Sequence, residues 1–132
     1  MKIGLIGAGR LGICLALLIE KAGYQVLASD NREDYIRSLQ NGIINTAEPE
    51  VQQYLSNANN IEFTTDNTRV IAECDIIFTL VATPSLEDGS YDVSAVWKVI
   101  DDFKNIPILL NEKSLVVGCT TNPGDCNDFQ NA

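Results

Sequence analysis

The chain has 132 residues, 45% of them hydrophobic, with 9 Lys+Arg against 18 Asp+Glu and a formal net charge of -9, which describes one acidic domain with a single core. With Lys and Arg nowhere massed, nucleic-acid binding through phosphate neutralisation is excluded, and no apolar run reaches the roughly 20 residues of a membrane span. Four dispersed cysteines (Cys14, Cys74, Cys119, Cys126) and no histidine exclude zinc-site spacing, a disulfide framework and any imidazole mechanism.

Met1 to Gly7 is too short and glycine-broken for a signal peptide and reads as a strand, so a cytoplasmic, membrane-free protein is expected. Ile3–Ile6 is the first strand, followed by a buried helix from Arg10 to about Ala22 on Leu11, Ile13, Cys14, Leu15, Leu17, Leu18 and Ile19. Gly23 is its C-terminal stop, and Tyr24–Ser29 forms a second strand ending at Asp30. Arg32–Leu39 predicts a short helix, 43–49 a loop and Glu50–Leu55 a further helical turn or two, together a polar insertion. Ile61–Thr64 alternates as a strand, and Asp66 or Asn67 caps a helix running to Glu73. Asp75–Val81 is the most apolar run, suited to a central strand buried on both faces. After a loop with Pro84, Asp88 and Gly89, Asp92 or Ser94 opens a helix from about Val93 to Phe103 with a stripe of Val96, Trp97, Val99, Ile100 and Phe103. Pro107–Leu110 is an apolar approach to a fifth strand, Leu115–Cys119. The last residues, 125–132, read as a frayed or partial helix. Alternation of strands and helices predicts an α/β, Rossmann-like doubly wound parallel sheet of about five strands in the order 3-2-1-4-5.

Gly7-Ala8-Gly9-Arg10-Leu11-Gly12 is a G-x-G-x-x-G placed between a strand and a helix. The first glycine permits a tight turn, the second a close backbone approach to pyrophosphate, and the third close helix–strand packing. Asp30 follows 18 residues after Gly12 at the end of the second strand, where a carboxylate accepts hydrogen bonds from both hydroxyls of an adenosine ribose. Such a carboxylate repels a 2′-phosphate; Arg32 could attract one, lie against adenine or point to solvent, and NAD is favoured. Arg10 has two readings, one facing the pyrophosphate and one as a solvated first-turn residue. Ligands of such sheets lie across the carboxyl ends of the strands, so the segments beginning Ala82-Thr83-Pro84-Ser85 and Thr120-Thr121-Asn122-Pro123-Gly124 are candidates for hydrogen bonds to a nicotinamide ribose or substrate, though Ser and Thr there are also ordinary turn formers.

Three segments carry a family resemblance over essentially the whole chain. Asn41-Gly42-Ile43 leading to Glu48-Pro49 is similar to the G-x-x-P-x-x-E-P-G-L loop of the nucleotide-sugar 6-dehydrogenases, the UDP-glucose and GDP-mannose dehydrogenase family. The run from Val81 to Ser94 resembles V-P-T-P-x-x-x-D-G-x-x-D-x-S, and Cys119 to Gly124 resembles S-T-V-P-P-G. The resemblance implies an NAD-dependent, four-electron oxidation of a sugar nucleotide's C6 alcohol to a carboxylate. It places Gly7, Gly9 and Gly12 on the pyrophosphate, Asp30 on the adenosine ribose and Thr83 near the nicotinamide half, and it matches Thr120 to an active-site threonine that helps hold a water near the reacting carbon. The expected cofactor set is Gly7, Gly9, Arg10, Leu11, Gly12, Asp30, Asn31, Arg32, Val81, Ala82, Thr83 and Thr120. Ala82 and Asn122 stand where the family has proline, Cys119 where it has serine, Asp125 where threonine is frequent, and Arg10 where an aromatic residue is common.

Family members carry their nucleophilic cysteine in a further domain, which is expected to be missing here. None of the four cysteines has an activating neighbour and none is assigned a catalytic role; Lys113 reads as an exposed loop lysine. Residues 1–132 are therefore expected to be an NAD-binding domain, truncated relative to the family's, inactive alone and admitting a sugar nucleotide at the strand edge. The alternatives are a stand-alone, non-catalytic dinucleotide-binding or regulatory module and, disfavoured for want of a general acid, a complete small reductase. An uncovered sheet edge predicts a monomer or weak homodimer.

Overall fold

The computed structural model describes residues 1–107 and 112–132. Chain order is β1 (Lys2–Ile6), α1 (Arg10–Lys21), β2 (Gln25–Ser29), α2 (Glu33–Gln40), α3 (Val51–Asn57), β3 (Ile61–Thr64), α4 (Asn67–Glu73), β4 (Ile76–Thr79), α5 (Ser94–Asn105), β5 (Ser114–Val117) and α6 (Asp125–Asn131). The strands form one sheet in the order β3-β2-β1-β4-β5, every pair parallel, which is the order the sequence predicts. Of the apolar approach to β5, residues 108–110 lie outside the described residues.

Period-two alternation divides the core between the two faces. Ile3, Leu5, Val26 and Ala28 face a cluster built with Ile13 and Leu17 of α1, Leu39 of α2 and Val51 and Leu55 of α3. Ile6, Leu27 and Ile77 face Val70 and Ile71 of α4 and Val99 of α5. The stretch read as a polar insertion thus supplies core residues. Its helices are amphipathic, with polar residues on the outer side hiding a short apolar stripe from a composition count.

The strands end together for a local reason. β1 stops where Gly7 turns away, and its last residue pairs with Ser29 and Thr79, while Thr79 pairs with Val117. Beyond that level the ladder closes with two bonds, Leu80 N–H to Ile6 O at 2.8 Å and Gly118 N–H to Thr79 O at 2.9 Å, so β4 ends at Thr79 and β5 at Val117, short of the expected Val81 and Cys119. Loops begin there instead, and the one after β4 lines a cavity with Val81 and Ala82.

Four local expectations are revised. Leu11 and Leu18 are 65% and 54% exposed, because a helix lying on one sheet face buries a single stripe, here Gly12, Ile13, Ala16 and Leu17. Val93 is the N-cap of α5, although the Asp92 carboxylate does accept the Ser94 N–H at 3.0 Å. The terminal segment is the packed helix α6: Phe129 is buried among Val96, Ile100 and half-buried Trp97, with the Trp97 and Phe129 rings edge to face at 4.9 Å. Lys113 is no free loop lysine, since its Nζ donates to Ala72 O at 3.0 Å and Cys74 O at 2.7 Å, satisfying carbonyls at the C-terminus of α4.

At the amino ends of the strands, Arg69 donates to Glu73 and Glu62, each at 2.6 Å, and Lys2 donates to Glu73 at 2.5 Å. Arg69 and Lys2 hold the Glu73 carboxyl down from its ordinary 4.5 to about 2. In the unfolded chain that carboxyl protonates near its ordinary value, so the unfolded state binds more protons in between. The contribution of Glu73 is therefore complete above about pH 4.5 and lost as pH falls towards 2. Glu73→Gln is expected to flatten the acid arm of a plot of Tm against pH in this window; an acid arm parallel to that of the unmutated chain would remove Glu73 from the account.

Candidate functional site

The turn after β1 is pinned from three sides. The N–H groups of Gly7 and Ala8 both donate to Ser29 O at 2.9 Å, and the buried Ser29 hydroxyl donates to Asn67 Oδ1 at 2.7 Å. Gly7 has φ +99°, and a Cβ there would meet Leu80 O at 2.8 Å and Val81 N at 2.9 Å. A Cβ on Gly12 would run into the carbonyl oxygen of Gly7, so this glycine seats α1 against the turn. Gly9 differs from both: nothing lies within 4 Å of where its Cβ would be. It is the N-cap of α1 and provides no side-chain cap, so the first-turn N–H groups and the positive end of the helix face open space that a pyrophosphate suits.

Asp30 closes the site on the β2 side. Its Oδ1 accepts Arg32 Nε at 2.8 Å and the Arg32 backbone N–H at 3.1 Å, and its Oδ2 accepts Arg32 Nη2 at 3.0 Å. The carboxylate side chain is 9% exposed and the arginine 57%. The guanidinium also lies 4.2 Å from the centre of the Tyr35 ring, and the Tyr35 hydroxyl donates to Ala8 O at 2.7 Å; burial raises this phenol above its ordinary value and keeps it a donor. Arg10, mostly exposed, pairs with Glu48, Nε to Oε1 at 2.6 Å, which favours the solvated reading.

These groups border a cavity of about 500 Å³ over the carboxyl ends of β1, β2 and β4. It brings together the predicted Gly7, Gly9, Arg10, Asp30, Asn31, Arg32, Val81 and Ala82. Leu11 and Gly12 do not line it, the first facing solvent and the second packing on Gly7. Thr83, half-buried, and Thr120, exposed, also lie outside this lining, in the loops beyond β4 and β5. Sequence reading missed Thr65, Asn67, Ala95, Lys98 and Val99. Ala95, Lys98 and Val99 sit at i, i+3 and i+4 of α5, one helix face, and that spacing was the available signal. Arg10 and Arg32 are paired with carboxylates, whereas Lys98 makes no ion pair among the described residues, so it is the lining cation free to meet an anion.

The loops beyond β4 and β5 are held to each other by Asn122. Its Oδ1 accepts the Tyr91 N–H at 2.8 Å and its Nδ2 donates to Tyr91 O at 3.0 Å and Asp125 Oδ2 at 2.9 Å. Its backbone N–H donates to the same Asp125 oxygen at 2.7 Å. A proline here could make none of these bonds. Beside these loops burial raises the Cys119 thiol, which donates to Thr79 O at 3.3 Å, and at the opposite edge of the sheet burial pushes Cys74 up to about 11. No group of three potential metal ligands occurs among the described residues, and none of the described helices is long and apolar enough to cross a membrane.

The family described as UDP-glucose/GDP-mannose dehydrogenase family, NAD binding domain, matches residues 1–132. The UDP-glucose 6-dehydrogenase TuaD of Bacillus subtilis (strain 168) is 32% identical over 89% of this chain and 27% of its own length. The UDP-glucose 6-dehydrogenase of Rickettsia bellii (strain RML369-C) is 29% identical over 99% of this chain and 30% of its own. The fold also superposes on the UDP-N-acetyl-mannosamine dehydrogenase Cap5O of Staphylococcus aureus, with a TM-score of 0.86 and 26% identity over 99% of this chain and 31% of that one. The chain thus spans less than a third of the length of the curated relatives it matches.

Proposed function

Because the chain belongs to the UDP-glucose/GDP-mannose dehydrogenase family as its NAD-binding domain, we propose that it holds NAD along the carboxyl edge of its sheet for the oxidation of a UDP-glucose-like sugar nucleotide to the uronate. The observation that carries this reading is the open space at Gly9 over an uncapped helix N-terminus, with a nearly buried carboxylate across the same cavity.

In this reading the first-turn N–H groups of α1 bind the pyrophosphate, with Lys98 adding the charge that Arg10 and Arg32 have committed elsewhere. Asp30 takes the adenosine ribose through Oδ2, the oxygen on which Arg32 occupies only one acceptor position. Asn31, Arg32, Thr65, Asn67 and Val99 wall the adenine. Val81 and Ala82 lead the cofactor across the gap between β1 and β4, where strand order reverses. Thr83 and Thr120 then flank the nicotinamide half, and the Thr120 hydroxyl orients a water beside the carbon undergoing oxidation. Bound NAD supplies the hydride acceptor. Burial keeps Cys74 and Cys119 protonated near neutral pH, so neither is assigned the nucleophile of turnover.

The sugar nucleotide enters at the same edge beside Thr120. Four free cysteines fit a reducing cytoplasm. The outer edge of β5, with Val116 exposed, fits a monomer or weak homodimer. The test is separate calorimetric titration of NAD and NADP into the purified chain. Saturable NAD binding, with NADP weaker by about tenfold or more from repulsion at Asp30, is expected. A folded sample that takes up neither dinucleotide would overturn the reading.

A further inference from the structure

We infer that Asn122 is a positioning residue for the nicotinamide half of the cofactor, acting through Thr83 and Thr120. The inference rests on the dinucleotide reading above and deepens it by assigning a residue at the far end of the site.

The loop after β4 folds back on itself. Ser85 and Tyr91 form an antiparallel bridge, the Leu86 N–H donates to Ser90 O at 2.7 Å, and the Asp92 N–H donates to Pro84 O at 2.8 Å. These bonds fix the shape of the loop but not its placement over the sheet. Placement comes from Asn122, whose side-chain amide meets the N–H and C=O of Tyr91 as a peptide group of a neighbouring strand would. Both amide N–H groups are then used, because the second goes to Asp125 at the start of α6. Asn122 is half-buried, so these bonds are partly shielded from water and hold better than exposed ones.

A dinucleotide laid across the reversal of strand order rests its second half over β4 and β5. The residues there are those just before each clamped segment: Thr83 precedes Pro84, and Thr120 and Thr121 precede Asn122. The bases of the two threonine-bearing loops are joined where the Gly118 N–H and the Cys119 thiol donate to Thr79 O, and beyond the threonines Asn122 is the side chain that ties the loops together. The adenosine half lies over β1 and β2, and its groups make no contact with Asn122 among the described residues.

The two halves can be read separately. NAD and ADP-ribose share the adenosine, the pyrophosphate and a second ribose, and only NAD carries nicotinamide. Asn122→Ala is expected to weaken NAD binding about tenfold while leaving ADP-ribose within about twofold, as loss of hydrogen-bonded placement at one end of the ligand dictates. Thermal unfolding would verify that the variant is folded; should it not fold, Asn122→Asp, which keeps the acceptor for the Tyr91 N–H, carries the same comparison. Equal losses for both ligands would make Asn122 merely structural, and no loss for either would remove it from the site; both overturn the inference. An unmutated chain that binds NAD no better than ADP-ribose overturns it too while sparing the cofactor reading. An unmutated chain that binds neither overturns both.

Discussion

Gly12→Ala is expected to destabilise the chain by about 3 kcal/mol, the cost of forcing a methyl into a packed interior, whereas Gly9→Ala is expected to stay within about 1 kcal/mol of the unmutated chain. Both glycines belong to one motif, and the difference lies in what their missing Cβ atoms would meet. At Gly12 it is the carbonyl oxygen of Gly7, itself fixed against the backbone of Leu80 and Val81. Neither side can give way without lifting α1 off the sheet. At Gly9 the methyl enters open space at φ -67°, a conformation alanine adopts freely, so the fold survives. The ligand does not tolerate it, because that space is where a pyrophosphate must come close to the backbone. Gly9→Ala is therefore expected to lower NAD affinity at least tenfold. Urea unfolding should show a fall in midpoint of about 1–2 M for the Gly12 variant alone, and calorimetry the loss of binding in the Gly9 variant. A Gly9→Ala chain that binds NAD normally would sink the assignment of this turn to the pyrophosphate.

Asp30→Ala is expected to weaken NAD binding by about ten- to a hundredfold, since a hydrogen bond to a charged acceptor contributes about 1.5–3 kcal/mol. The same change releases Arg32, whose guanidinium grips that carboxylate at both oxygens. With the repelling charge gone and an unpaired arginine left on the rim, NADP loses less than NAD, and the ratio of the two affinities should fall at least tenfold. Stability should change little, because the partner arginine is largely exposed and such pairs contribute about 0–1 kcal/mol. Titrating both dinucleotides into the variant checks the ratio. An unchanged ratio would mean that Asp30 does not face the ribose.

What could be read from the sequence follows the range of the physics involved. Ile61–Thr64 was legible to the residue because turn-rich asparagines precede it and alternation marks it. Asp66 was legible as a cap because its carboxylate meets N–H groups only two and three residues on. The glycine turn and Asp30 were legible because their geometry is set within one βαβ unit. Glu48 escaped, since its partner Arg10 is 38 residues away and only the fold brings them together. Asn67, Thr65 and Lys98 escaped for the same reason, lying on elements whose shared edge exists only once the sheet is closed. Leu11 and Leu18 misled because apolar identity carries no information on which side of a helix the sheet will lie. Asn122 was legible only as a departure from the family's proline, a sign of change without its content. The content is a set of side-chain hydrogen bonds to Tyr91 and Asp125 that a proline could not make.

The edge-to-face contact between Trp97 and Phe129 also makes the molecule its own optical reporter. The chain has 1 tryptophan, and the indole lies on α5 where α6 docks, so its emission responds to that corner before any other. Far-UV circular dichroism averages over every helix and strand. Where the two signals coincide on heating, α6 comes off only with the whole sheet; where emission moves first, the corner beside β5 opens as a separate unit. A single fluorescence trace thus distinguishes the undocking of one helix from the collapse of the fold, without a label or a substitution.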